Sequence, residues 1–142
     1  MGRTKVHKPK RVRQFNPRIV IPDFAMYSWA SQAMQYPTKG EPGFRHTVEH
    51  NRPDDGMPID CLLYYAESGD LVGILNHYPV DIPPYEKAGN INLWVHPDAQ
   101  RMGVGMRLVT EADRRWRIDF NRQQFTEAGA MLARRYLERR GL

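Results

Sequence analysis

Two glycines one residue apart, Gly103 and Gly105, follow a short polar loop and open an amphipathic stretch. They close the segment Val95-His96-Pro97-Asp98-Ala99-Gln100-Arg101-Met102-Gly103-Val104-Gly105, where an apolar run stops at a proline and a helical pattern begins. Such a turn aims several backbone N–H groups outward at the positive end of a helix, where a phosphate or pyrophosphate binds well. Glycine lets the anion reach the backbone, because no side chain stands in the way. Arg101 and Arg107 would add charge-assisted hydrogen bonds. A dinucleotide fingerprint would need a third glycine where Leu108 stands, and the Lys-Ser/Thr of a Walker loop is absent.

Metal chemistry has weaker support. His46-Thr47-Val48-Glu49-His50 has the spacing of a zinc-peptidase motif, but that chemistry needs a helix carrying both histidines on one face. These residues fall between Gly40-Glu41-Pro42-Gly43 and Pro53, in a stretch that reads as loop, and no second ligand cluster follows. Cys61 is the single cysteine, which excludes an intramolecular disulfide and any Cys-cluster site. No metal is expected.

The elements that must position the glycine turn are legible in outline. Arg18-Ile19-Val20-Ile21 reads as a first strand, and Asp23 to Gln35 as a helix with Phe24, Tyr27, Ala30 and Met34 on one face. Tyr36 to Pro58 carries four prolines and three glycines and reads as a long loop. Cys61–Ala66 and Leu71–Leu75 form a hairpin around Glu67-Ser68-Gly69-Asp70. After a second proline-rich loop, Asn90–Val95 alternates polar and apolar residues, as a strand with one buried face does. Gly103–Trp116 reads as a helix with Leu108, Val109, Ala112 and Trp116 inward. Arg117–Phe120 is at best a weak strand, and Thr126–Arg140 is a last helix with Ala128, Met131, Leu132 and Arg135/Tyr136 on one face. The expected architecture is one α/β domain over residues 18–142, preceded by a basic arm over residues 1–17.

The turn and its surroundings resemble the acyl-CoA-binding motif of the GCN5-related N-acetyltransferase (GNAT) superfamily. The matching positions are Val95, Pro97, Gln100, Gly103 and Gly105, with an upstream Val72-Gly73-Ile74 strand. The likeness covers about residues 60–116. It implies a central mixed, mostly antiparallel sheet flanked by helices, apparently lacking the last two family strands, with acyl-CoA in a gap beside the motif strand. By that resemblance the backbone of Leu93 and Val95 pairs with pantetheine and the acyl oxygen. The amides of Arg101, Met102, Gly103, Val104, Gly105 and Met106 then hold the pyrophosphate. The implied reaction is direct transfer of an acetyl group from acetyl-CoA to a primary amine.

Direct transfer needs a base for the incoming ammonium and an acid for the departing thiolate. Family members often carry a carboxylate early on the motif strand, but here that place falls at Gly89, and no acid sits there. Glu86, His77 and His96 are the nearest candidates for the base. The family acid, often a tyrosine on the last helix, corresponds most nearly to Tyr136.

Charge is unevenly spread. The net +5 divides into a basic arm, an acidic middle and a basic last third: residues 1–18 hold seven of the 21 Lys and Arg and no acid, and residues 101–142 hold ten Arg against five acids. The acidic middle (Glu41, Glu49, Asp54, Asp55, Asp81, Glu86) favours a cationic amine acceptor, small molecule or protein. The arm suits nucleic acid or a larger assembly, which leaves a second reading: a GNAT-like binding or structural protein with little catalysis. No apolar run approaches the roughly 18 residues that span a bilayer, and no signal peptide is evident, so the expected location is cytoplasmic. Missing terminal strands would leave a sheet edge that a homo-oligomer or some other cover must relieve.

Overall fold

A computed structural model describes residues 11, 14–22, 26–50, 56–84 and 86–141. In chain order the elements are β1 (Arg18–Ile19), α1 (Trp29–Ala33), β2 (Gly43–His50), β3 (Pro58–Tyr65), β4 (Leu71–His77), β5 (Ile91–Val95), α2 (Val104–Trp116), β6 (Gln124–Phe125) and α3 (Glu127–Arg140). Strands β2 to β5 form an antiparallel sheet in chain order, and β1 pairs with β6 in parallel as a separate two-stranded sheet.

Alternation divides the side chains of the four-stranded sheet between two cores. On one face Leu62 and Leu75 pack under α2 and α3 with Leu108, Ala112, Ala133 and Leu137. On the other, Cys61, Leu63, Tyr65, Ile74 and Trp94 gather with Tyr36, and Trp29 of α1 packs against them. Helix α2 lies directly on the backbone of β4, because a Cβ at Gly73 would stand 2.6 Å from Leu108 Cδ1 and 2.7 Å from Val104 Cγ1. That contact sets the height at which the start of α2 meets the sheet. The exposed side of α2 is laced by Glu111, which accepts from Arg114 and Arg115.

Several elements differ from the sequence expectation. The supposed loop over 36–58 contains the whole of β2, whose eight residues all find partners on β3, from Gly43 opposite Tyr65 to His50 opposite Pro58. The expected helix over 23–35 shrinks to five residues, and residues 23–25 lie outside those described. Ser28 caps it, its Oγ accepting from Ser31 N–H at 3.1 Å, while the Tyr27 carbonyl is taken by Trp94 Nε1 at 3.0 Å. Residues 117–120 form no strand; a 3₁₀ turn spans Phe120–Arg122 and pairing resumes at β6. Helix α3 begins as expected at the Thr126 cap but buries Ala130, Ala133, Tyr136 and Leu137, leaving Met131 half exposed.

The end of the basic arm belongs to the folded domain. Phe15 is buried edge-on against Phe125, with the Arg134 guanidinium 5.1 Å from its ring centre. Arg11 makes a two-pronged pair with Asp113 and also donates to the Ile118 carbonyl at 2.9 Å. The expected nucleic-acid contacts fall mainly on residues 1–10, which lie outside those described. Among the described residues, no helix is long and apolar enough to cross a membrane.

Candidate functional site

Among the described residues, strand β5 is paired along one edge only. Its even-numbered neighbourhood bonds toward β4, as Tyr78 N–H to Asn90 O (3.0 Å) and His96 N–H to Val72 O (2.9 Å) show. Backbone direction alternates along a strand, so the N–H and C=O groups of Leu93 and Val95 point the other way, toward β6. No ladder joins β5 to β6. The buried Gln123 carboxamide bridges them at one end: its Nε2 donates to Gly89 O at 2.9 Å and its Oε1 accepts from Ile91 N–H at 3.0 Å. The sheet therefore splits past Gln123 into a cleft of about 760 Å³, roofed by α2 and α3.

Leu93, Val95, Gln100, Arg101, Gly103, Gly105 and Met106 all line this cleft. Met102 and Val104 do not: the Met102 side chain is exposed and Val104 is buried beneath α2. Gly103 is the N-cap of α2 with φ of 77°, a left-handed conformation that suits glycine, and it makes no side-chain capping bond. The helical ladder begins with Arg107 N–H to Gly103 O at 3.1 Å, so the amides before residue 107 precede it. They sit at the positive end of a 13-residue helix. A Cβ on Gly105 would stand 3.2 Å from Leu132 Cδ2 and 3.6 Å from Leu93 Cδ2, where β5, α2 and α3 converge. Side chains of Arg101, Arg135 and Arg139 complete a basic wall. Arg107, by contrast, lies over the Tyr64 ring at 6.0 Å and is not part of that wall.

The candidate proton-handling groups are dispersed. His77 stacks flat on Trp116, with centroids 4.3 Å apart, and its Nδ1 is 2.9 Å from Asp60, which also holds His46 at 2.8 Å. His96 accepts from Asp98 N–H and packs against Trp29. Tyr136 is not among the residues lining the cleft. Its hydroxyl donates to Asp113 across the α2–α3 interface, and burial together with that carboxylate pushes its pKa up to about 12. Glu86 alone of these reaches the cleft wall, through Asn92. A turn bonded Ile82 N–H to Glu86 O (2.8 Å) and Glu86 N–H to Ile82 O (3.0 Å) folds it back over the start of β5. There its carboxylate accepts from Asn92 Nδ2 at 3.2 Å and Asn90 Nδ2 at 3.1 Å, and Asn92 lines the cleft. A carboxylate from the preceding turn is thus brought to the beginning of β5, where the sequence itself has none.

The zinc-like histidines separate along a strand. His46 and His50 are residues of β2, and Glu49 between them points to the opposite face. Among the described residues no group of three His, Cys, Asp or Glu is placed to hold a metal ion. Asn92 and Gln123, both part of the site, escaped the sequence reading. Asn92 reads as the polar outer position of an alternating strand, and Gln123 carries no local signal at all.

A split sheet, an unpaired strand edge and unladdered helix amides facing one cleft define the class of protein: an α/β domain built as the sequence resemblance implies for acyl-CoA binding. The sequence matches the acetyltransferase (GNAT) family over residues 24–141, and the protein belongs to that family. Members of the family are acyltransferases that generally use acetyl-CoA. Comparisons with curated proteins and with solved structures returned no match.

Proposed function

We propose that the protein transfers an acetyl group from acetyl-CoA to a primary amine. The observation that carries this reading is the placement of the free Leu93 and Val95 backbone edge in the same cleft as the first-turn amides of α2. The amides and the wall of Arg101, Arg135 and Arg139 suit a pyrophosphate, and the β5 edge suits the amide-bearing arm of pantetheine. A β5 N–H directed at the thioester carbonyl stabilises the oxygen as it gains charge.

Glu86 takes one proton from the incoming ammonium through a bridging water, which frees the nitrogen lone pair. The nitrogen–carbon bond then forms and the carbon–sulfur bond breaks. The second nitrogen proton passes to the departing sulfur, giving the amide and CoA thiol, while the proton on Glu86 returns to solvent. Tyr136 is not required as the acid, since its hydroxyl is engaged with Asp113.

Isothermal titration with acetyl-CoA, with desulfo-CoA and AMP as comparisons, tests the reading. Micromolar binding that needs both pantetheine and pyrophosphate is expected, followed by thiol release with a primary amine. Absence of binding at millimolar acetyl-CoA overturns it.

A further inference from the structure

β2 is the outer strand of the four-stranded sheet, and among the described residues no strand pairs with its far edge. The direction of its backbone follows from the ladders inside. The bond from His96 N–H to Val72 O turns the even-numbered residues of β4 toward β5 and the odd-numbered ones toward β3. Carried across Leu75 opposite Leu62 and Cys61 opposite Thr47, the alternation leaves Phe44, His46, Val48 and His50 with their N–H and C=O groups pointing outward. The same edge is apolar on the α2 side: Phe44 is 38% and Val48 52% exposed, and the Phe44 ring lies 4.9 Å from that of Tyr64. On the other side Arg45 and Glu49 are exposed, and neither has an ion-pair partner among the described residues. Four residues of strand hold them about 13 Å apart, too far to pair with each other.

Charges on an edge strand ordinarily repel a second strand. Here they are opposite in sign and equally spaced about Thr47, so a second copy of β2 laid antiparallel meets them in complement. With Thr47 opposite Thr47 of the second copy, Arg45 of each chain faces Glu49 of the other, at the closely spaced positions where side chains approach best. In the same register the outward-pointing residues fall opposite one another, His46 with Val48 and Phe44 with His50, as the pairs that exchange backbone hydrogen bonds. A slip of two residues either way keeps the backbone match but loses both charge pairs. We infer that the outer edge of β2 is a homodimer interface, in which a two-fold axis at Thr47 joins the sheets of two copies into one. Each chain's edge is consumed by the other, so assembly stops at two. The cleft beside β5 lies on the far side of each sheet and stays open.

Sedimentation equilibrium of the full chain across the micromolar range tests this. Wild type should follow a monomer–dimer equilibrium with nothing larger. Arg45→Glu and Glu49→Arg each set like charges opposite in both pairs, and each alone should raise the dimer Kd about tenfold or more. Mixed in equal amounts, the two variants should dimerise again, because an all-acidic edge then meets an all-basic one. Val48→Pro removes an outward N–H without touching the ladder between β2 and β3, and should weaken the dimer to a similar degree. The altered groups are exposed, so every variant keeps the fold, which far-UV circular dichroism checks. A wild-type monomer throughout overturns the interface, as do single reversals that leave the dimer intact, a mixture that stays dissociated, or growth past two chains.

Discussion

Gln123 stands in for a strand neighbour of Ile91: its side-chain Oε1 accepts the Ile91 N–H at 3.0 Å, where a paired strand would offer a carbonyl. The same carboxamide donates to Gly89 O and Asp119 O, so one side chain ties the start of β5 to the turn before β6. Beyond that tie the two strands part. The cleft exists because the bridge is a side chain, which spans one step and cannot propagate a ladder.

Replacing Gln123 with leucine should cost about 1–3 kcal/mol, since buried backbone groups of Gly89 and Ile91 lose their partners. Urea denaturation measures the loss, and titration with acetyl-CoA should show weaker binding. Gln123→Glu keeps the acceptor for Ile91 but cannot donate to Gly89, so its stability should fall between the two. Equal midpoints for all three proteins would remove Gln123 from this role.

Two glycines on either side of α2 should respond in opposite ways. Gly73→Val drives carbon into Val104 and Leu108, and overpacking of that kind costs about 1–3 kcal/mol. Gly105→Ala meets only the flexible end of Leu132 at 3.2 Å and lies in the first turn of a helix, where alanine gains about 0.5–1 kcal/mol over glycine. Its cost is functional: the added methyl enters the cleft and should weaken acetyl-CoA about tenfold or more. Thermal melts paired with titration separate the two effects. A Gly105→Ala protein that binds acetyl-CoA normally would argue against the cleft as its seat.

The Arg11–Asp113–Tyr136 cluster should give stability a defined pH window. Burial pushes the Asp113 carboxyl up, but bonds from Arg11, Tyr136 and the Ile118 N–H outweigh it and hold the group below the usual carboxylate range. A depressed carboxylate contributes its stability above its unfolded pKa of about 4 and loses it as pH falls further. Tyr136 works at the other end: its contribution is present below about pH 10 and fades as pH rises toward about 12. Asp113→Asn should therefore lie about 1–3 kcal/mol below wild type near neutrality, the gap closing in acid. A gap that stays constant from pH 7 to pH 3 would contradict the assignment.

The sequence reading succeeded where a single local pattern decided the outcome. Two glycines one residue apart after Pro97 located the turn that opens α2, strict alternation located β5, and the turn residues Glu67-Ser68-Gly69-Asp70 located the hairpin of β3 and β4. It failed where a distant partner decided. β2 carries Arg45, His46, Thr47 and Glu49 among its apolar residues, and it becomes a strand because every position pairs with β3. The sequence puts Ala128, Met131, Leu132 and Arg135/Tyr136 on the inner face of α3; Tyr136 is buried and Met131 exposed, while Ala128, Leu132 and Arg135 line the cleft, because hydrophobic period alone does not distinguish a core from a binding wall. Glu86 was recognised by chemistry and proximity, while its route to the cleft through Asn92 depends on a turn that closes five residues, Ile82 to Glu86, on themselves.

The pairing of β1 with β6 sets an order on biosynthesis. Arg18 lies opposite Gln124 and Ile19 opposite Phe125, so the far wall of the cleft is made from two ends of the chain that emerge far apart in time. The four-stranded sheet joins neighbours in sequence and can assemble while the ribosome is still at work. The first strand must wait, with Ile19 and Val20 unpaired, until β6 and α3 have left the exit tunnel. A nascent or truncated chain lacking its last 20 residues would hold the nest of α2 yet have no second wall to face it, and its exposed β1 would be the segment most open to chaperones.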